Sequence, residues 1–438
     1  MFTYDEAVEY LNAHIGRGMH PGLETISGLL DLMGNPEASY PIVHVAGTNG
    51  KTSVSRMVTY LCVAHGLTTG TFTSPHLQSG EERVSINGEP TARDDFAQAV
   101  VDTKAFADIY EDRTGHLVSY FELTAALAFS WFADQAVDVG VIEVGLGGRL
   151  DATNAARATV AVLTSVGMDH SEYLGDTIEE IAREKLAIVE DGSILVAGPL
   201  PDSVVAIAED VCRERSAELR LYGRDFRLEG ALKGVGGWQV DIEGSQAVYE
   251  ESFLPLHGRF QTINFAVAIA ATEALTNRAL DNEAVIDAAT IATNPGRMEL
   301  METDPPLLID GAHNADGFAA LAQSLAEEYP TTRWVVVTAA MEDKDLQAMW
   351  EPLAPLLLGV VTAQVDSPRA RSAADLGAQL EPIVGDTPVT VVADPVEALD
   401  HARTLAGEGD GILVTGSLYL VGAIRAHLTG ATRTPNER

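Results

Sequence analysis

Seven residues, Gly47-Thr-Asn-Gly-Lys-Thr-Ser53, stand between a short apolar run and a helical pattern. Gly47 and Gly50 let backbone N–H groups turn inward around an anion, and the following helix adds the positive end of its dipole. Thr48 and Asn49 complete the loop. Lys51 can neutralise terminal phosphate charge, while Thr52 or Ser53 can offer a hydroxyl to Mg²⁺. The strict pattern G-x-x-x-x-G-K-[ST] is not met, because Val45 occupies the first glycine position. The competing reading is a Gly-rich turn with a solvated lysine; the strand before and the helix after favour a phosphate loop.

Further candidates lie downstream. Glu143 closes the apolar run Val139–Glu143, and His170 follows the run Thr159–Thr164, so both fall at carboxyl ends of expected strands. An oxygen and an imidazole from neighbouring strand ends beside a phosphate loop suit Mg²⁺ or Mn²⁺. Taken alone, each is more often an ordinary satisfied polar residue. Lys185 lies in a helical period whose neighbours three and four positions away are Ile181, Ala182, Ile188 and Val189. No acid is placed to pair with it along that helix, and an apolar face lowers a lysine pKa. Its bland reading is a solvated surface lysine.

These residues need elements to hold them. Thr3-x-x-Glu6 has capping-box form ahead of a first helix, and a second runs from Leu23 to Met33, closed by Gly34. From Pro41 onward, strands (Ile42–Ala46, Val137–Val144, Thr159–Thr164) alternate with helices (Val54–Ala64, Leu123–Phe132). That order predicts an α/β, doubly wound, mostly parallel sheet. After Asn294-Pro-Gly-Arg297 the alternation restarts, with strands expected at Leu307–Asp310, Trp334–Thr338, Val360–Gln364, Val389–Val392 and Ile412–Thr415. The division is therefore 1–296 and 297–438, the second unit smaller but large enough for its own core. Leu221–Val248, Gly-rich and alternating, reads as a β-hairpin excursion.

Composition bounds the function. The 438 residues carry 64 acids against 28 bases, a net charge of −36. Such a field disfavours nucleic acid and anionic membranes, and no basic cluster offsets it. No run of 18 apolar residues occurs and the first ten residues are acidic, so neither a membrane span nor a signal segment is expected. Cys62 and Cys212 are the only cysteines, which leaves no disulfide framework or cysteine-built zinc site. The expectation is a reduced, cytoplasmic, monomeric protein. The acidic excess fits either a saline cytoplasm or an acidic, GC-rich genome.

Taken in order, Gly47–Ser53, Thr73-Ser-Pro-His-Leu77, the twelve-residue run Glu143–Asn154 and Asp310-Gly-Ala-His-Asn314 resemble the folylpolyglutamate synthase/dihydrofolate synthase family of the Mur-ligase superfamily, in its bifunctional bacterial form. The match extends from about residue 22 to Leu420. The resemblance implies an N-terminal P-loop-type ATPase domain, a smaller C-terminal Rossmann-like α/β domain, and ATP at their junction. It implies a ligase of folate biosynthesis: ATP phosphorylates a pteroate or folate carboxylate, and L-glutamate's amine displaces phosphate from the acyl phosphate. It further implies Mg²⁺ (one ion, two, or Mn²⁺), with K⁺ as an additional cation.

The family pattern assigns metal ligation to Ser53, Ser74, Glu143 and His170. It makes Lys185 a carbamylated lysine, Asn264 a nucleotide-base contact, and Arg297 a partner of the γ-phosphate. Asp310 and His313 face ribose and phosphate from the opposite wall. For the pteroate-type ligand it indicates Gly22, Leu23, Phe121, Glu122, Leu150, Asp151 and Ala152; Ser417, Tyr419, Lys344 and Asp345 are suggestions for glutamate. Two departures stand out: Thr52 where the family usually has glycine, and Thr25 where a basic residue is common. Competing readings are a Mur ligase acting on a muropeptide precursor and a nucleotide-gated binding protein. The first is disfavoured by Thr-Ser-Pro-His, the second by Arg297, Asp310 and His313 on a second domain.

Overall fold

The computed structural model describes residues 2–17 and 22–434. Its first sheet has eight strands: β1 (Ile42–Ala46), β2 (Thr69–Phe72), β3 (Val84–Ile86), β4 (Glu89–Pro90), β5 (Val139–Glu143), β6 (Val160–Leu163), β7 (Ile194–Ala197) and β8 (Glu218–Leu221). They run in the order β4-β3-β2-β5-β1-β6-β7-β8. All pairings from β2 to β8 are parallel, and β3 and β4 add an antiparallel edge. Every residue of β1 and β5 is buried, as continuous apolar strands covered on both faces must be.

β1 lies between β5 and β6, so the chain leaves it on one side and returns on the other. That is a topological switch point, where a crevice opens beyond the carboxyl ends. Val45 pairs with Glu143 and Ala46 with Leu163, which brings the phosphate loop, Glu143 and the segment before His170 to one edge.

Helices cover both faces, and several start as the sequence dictates. Thr3, Ser119 and Thr177 each form a capping box with the glutamate three positions on. The helix Glu24–Met33 stops at Gly34, whose φ is +87°.

A second, antiparallel sheet comprises β9 (Arg227–Gly234), β10 (Gly237–Glu243) and β11 (Val248–Leu254). It exceeds the expected hairpin by one strand. In β11 the alternation is broken at Glu251, which sits at φ +60°, so the pattern fades there although the strand continues. Trp238, Val240, Ile242 and Leu254 from this sheet join one core with the buried helix Phe260–Thr276.

The third sheet holds β12 (Glu299–Thr303), β13 (Pro306–Ile309), β14 (Trp334–Thr338), β15 (Leu357–Thr362), β16 (Val389–Val391) and β17 (Gly411–Thr415), ordered β12-β13-β17-β14-β15-β16. All but β12 pair in parallel. Ile309 pairs with Val414, so Asp310 and Ser417 leave this sheet at the same carboxyl edge. The two parallel sheets turn those edges toward each other across one cavity of about 670 Å³.

Candidate active site

The phosphate loop opens onto that cavity. Gly47 (φ +156°) and Gly50 (φ +85°) adopt conformations that L side chains rarely take, and a Cβ on Gly50 would lie 2.9 Å from Asn264 Oδ1. Asn264 therefore packs on the loop itself, at the start of the helix Phe260–Thr276. Lys51 Nζ donates to the carbonyls of Gly47 (3.0 Å) and Thr48 (3.3 Å). Its burial lowers the ammonium pKa, an effect that Glu143 opposes.

Glu143 is buried at the end of β5. Its two oxygens accept from the Thr52 hydroxyl (2.9 Å) and from the Ser74 amide (3.3 Å). Burial raises its carboxyl pKa and the Lys51 charge pulls it back. Beside it the Ser74 hydroxyl is buried without a hydrogen-bond partner. One carboxylate, the Thr52 hydroxyl and this orphaned hydroxyl make a hard-oxygen set. It fits Mg²⁺, which takes one or two carboxylates and completes its shell with phosphate and water oxygens. Among the described residues no group of three His, Cys, Asp or Glu side chains could hold a metal by itself.

Ser53 lines the same cavity but is not bonded to Glu143. Its hydroxyl accepts from Asn294 Nδ2 at 2.7 Å, so the hydroxyl beside Glu143 is that of Thr52. The reason is helical phase: consecutive residues in the first turn of Lys51–Ala64 point about 100° apart, so only one can face β5.

Lys185 is not a solvated lysine. Its helix, Ile178–Leu186, presses it beneath the loop, 5% exposed, with Nζ donating to Gly47 O at 3.0 Å. Burial, reinforced by the Lys51 charge, brings its pKa down to about 7.

The opposite wall belongs to the third sheet. Asp310 is buried, and its oxygens accept from the Met298 and Ala312 amides at 2.8 Å each. Burial raises its pKa while neighbouring Arg297 lowers it. Arg297 lines the cavity, and a Cβ on Gly311 would lie 2.2 Å from its Nη1. His313 Nδ1 lies 2.8 Å from Gly311 O, and burial lowers that imidazole's pKa.

Asp169 and Asn314 join the two walls. Asp169 accepts from Lys344 Nζ (2.7 Å) and Asn314 Nδ2 (2.9 Å), and lies 3.8 Å from His170 Nε2 and 3.7 Å from His313 Nε2. His170, at φ +51°, is itself brought down to about pKa 4 by burial, against the pull of Asp169. Asn314 exchanges two amide hydrogen bonds with Asn49, at 3.2 Å each. In the sequence Asp169 adjoins His170, whereas Asn314 and Lys344, which donate to it, lie 145 and 175 positions away.

The substrate candidates divide. Gly22, Phe121, Leu150, Asp151, Ala152, Ser417, Tyr419 and Lys344 line the cavity. Glu122 also reaches it, but its carboxylate accepts from the amide and hydroxyl of Ser119 in the capping box. Leu23 packs on the helical core instead, because it directly precedes the helix Glu24–Met33 with that helix's apolar face. Asp345 is the N-cap of Leu346–Trp350, its carboxylate turned to Ala348 N. Arg83, buried and on the cavity wall over the Tyr120 ring at 5.0 Å, was not singled out by the sequence.

Two family models match the chain: the Mur ligase middle domain over residues 45–272, and the Mur ligase glutamate ligase domain over 296–418. A dihydrofolate synthase/folylpolyglutamate synthase of Mycobacterium tuberculosis is 38% identical, over 92% of this chain and 89% of its own length. The enzyme of the same name from Bacillus subtilis is 33% identical, over 98% of this chain and its full length. A crystal structure of Mycobacterium tuberculosis folylpolyglutamate synthase complexed with ADP and AMPPCP superposes with a TM-score of 0.94. It is 35% identical, covering 98% of this chain and all of that one.

Proposed function

The chain belongs to the dihydrofolate synthase/folylpolyglutamate synthase family of Mur ligases, and from that we propose how its cavity performs the ligation. It is an ATP-dependent ligase that adds glutamate in folate metabolism. The observation that carries the detailed reading is the single cavity shared by Gly47–Ser53 of one lobe and Asp310–Asn314 of the other, joined through Asn49 and Asn314.

In this reading residues 1–296 hold ATP and the pteroate or folate, and residues 297–438 bring the glutamate side. The triphosphate lies on the N–H groups of Gly47–Thr52, with Lys51 released from the Gly47 and Thr48 carbonyls to meet it. Asn264 borders the base, Arg297 meets the γ-phosphate, and Asp310 with His313 faces ribose and phosphate. Thr52, Ser74 and Glu143 would hold the metal, with Ser53 the hydroxyl that the family pattern assigns there and His170 toward a second ion. Mg²⁺ supplies Lewis acidity to the phosphoryl oxygens, and K⁺ is the monovalent ion to test beside it. Lys185, its pKa brought down to about 7 by burial, reacts as the neutral amine with CO₂ and releases a proton, leaving an anionic carbamate in place of the ordinary ammonium.

The chemistry then balances. A carboxylate oxygen of the pterin substrate attacks the γ-phosphorus and ADP leaves. Glutamate's amine attacks the acyl carbon, phosphate leaves, and the amide nitrogen loses a proton. Two facing lobes keep water from the acyl phosphate. The Leu150-Asp-Ala152 wall supports dihydropteroate and reduced folates as alternative occupants of one pocket, so both activities are proposed for this chain. No helix among the described residues is long and apolar enough to cross a membrane, and both cysteines are free and buried. A monomer in the cytoplasm is the corresponding proposal.

The test is ADP release with dihydropteroate and tetrahydrofolate supplied separately, each with and without L-glutamate. Glutamate-dependent release with both is expected; equal release without glutamate or pterin overturns the reading.

A further inference from the structure

β1 carries a residue that the site leaves unexplained. His44 is fully buried in mid-strand; its Nε2 lies 2.8 Å from Thr153 Oγ1, and its Nδ1 has no partner. Burial takes its pKa to about 3, so the ring is neutral and carries a single proton. On Nδ1 that proton would be a buried donor without an acceptor; on Nε2 it donates to Thr153. The Thr153 hydroxyl is then free to donate to Asp151 Oδ1, 2.5 Å away.

Asp151 passes the constraint on. Its carboxylate also accepts from the amides of Thr153 (3.0 Å), Leu146 (2.8 Å) and Gly145. Gly145 and Leu146 lie two and three residues after Glu143, in the loop that leaves β5. A Cβ on Gly145 would meet Phe121 Cζ at 2.6 Å and Asp151 Oδ2 at 3.1 Å, so this loop is wedged between two residues of the cavity wall. Hydrogen bonds in such a one-directional chain polarise and orient one another, most strongly where water is excluded.

We propose that His44 is a positioning residue: through Thr153 and Asp151 it fixes the Gly145–Gly148 loop that walls the pterin side of the cavity. Its hydrogen bonds run through Thr153 and Asp151 to this loop and not to Gly47–Ser53, which predicts a larger effect on pterin binding than on nucleotide binding. Only the identity of the occupant rests on the ligase reading.

Thr153→Val removes the hydroxyl at constant volume, and Thr153→Ser keeps it. In the full-length, ligand-free protein, hydrogen exchange at the Gly145 and Leu146 amides is expected to quicken about tenfold in Thr153→Val. Exchange in β1 and β5 stays slow, and Thr153→Ser behaves like the parent. Imidazole ¹⁵N shifts are expected to show the Nε2–H tautomer of His44 in the parent and in Thr153→Ser. In turnover, the KM for dihydropteroate rises about tenfold in Thr153→Val while the KM for ATP holds. An Nδ1–H tautomer, unchanged exchange at the two amides, or KM values for ATP and dihydropteroate that rise together overturns the proposal. A parent enzyme that turns over no pterin sinks the ligase reading instead, while the exchange and ¹⁵N measurements still decide the relay.

Discussion

Asp169 and Lys344, contributed by opposite lobes, form a 2.7 Å ion pair inside the shared cavity. Burial by itself raises the Asp169 pKa; His313, His170 and Lys344 overcome that and hold the carboxyl below its ordinary range. The pair spans the junction between the two lobes. Asp169→Asn keeps the shape but not the charge, so Lys344 and His313 lose their fixed partner. Glutamate-dependent ADP release is expected to fall roughly 10²-fold, the scale of an ångström-sized misplacement. AMPPCP affinity, measured by calorimetry, stays within a few-fold; an unchanged turnover rate contradicts the role.

Lys185 gives a pH signature. Its folded pKa is lowered to about 7 from an ordinary 10.5, so the reactive neutral amine gains population as pH rises through 7. Carbamate formation with ¹³C-labelled CO₂, followed by NMR, should be slight at pH 6 and approach saturation above pH 8. Lys185→Arg, which stays charged, should show no such signal. A carbamate level indifferent to pH over this range speaks against the assignment.

The Thr52, Ser74 and Glu143 set predicts a metal-dependent nucleotide affinity. Adding Mg²⁺ should tighten AMPPCP binding to the parent, and Glu143→Gln should erase most of that gain, about 10–100-fold. Thr52→Val should lose more of it than Ser53→Ala, because Ser53 is held by Asn294. The reverse ranking returns Ser53 to the metal.

Glu328 ties the lobes together away from the chemistry. Its buried carboxylate accepts from Lys233, His257 Nδ1 (2.7 Å), the Gly258 amide (2.5 Å) and Trp238 Nε1 (3.3 Å). Glu328→Ala leaves these donors unsatisfied and should cost about 3 kcal/mol, seen as a lower Tm. Burial raises the carboxyl pKa, but the His257 and Lys233 bonds bring it below the ordinary value. Its stabilisation is therefore present above the unfolded carboxylate pKa and lost as pH falls below it. The Tm difference between the parent and Glu328→Gln should shrink between pH 7 and pH 3.5.

A net charge of −36 predicts self-repulsion that salt relieves. Tm should rise as KCl is taken from low concentration to about 1 M, where the screening length falls to ~3 Å. A flat or falling Tm shows that the acids are already balanced locally.

Much of the site could be read before folding. Gly47–Ser53, Glu143, Lys185 and Asp310 sit at strand or helix ends that local patterns place, and a phosphate loop works through its own backbone. Lys185 was legible because an apolar helical neighbourhood is itself a statement of burial. Asp151, by contrast, accepts from Gly145, Leu146 and Thr153 and so organises its own loop, which its sequence neighbourhood does not reveal.

The sequence by itself determined the alternation of strand and helix, the anion-binding loop and the identities of the strand-end acids, because periodicity and turn chemistry act over a few residues. The tertiary structure alone decided which residues from the two lobes meet. Asp169 with Lys344, Asn49 with Asn314, and Thr52 rather than Ser53 beside Glu143 depend on sheet order, helical phase and the facing of two edges. Those are consequences of long-range packing, which no local pattern encodes.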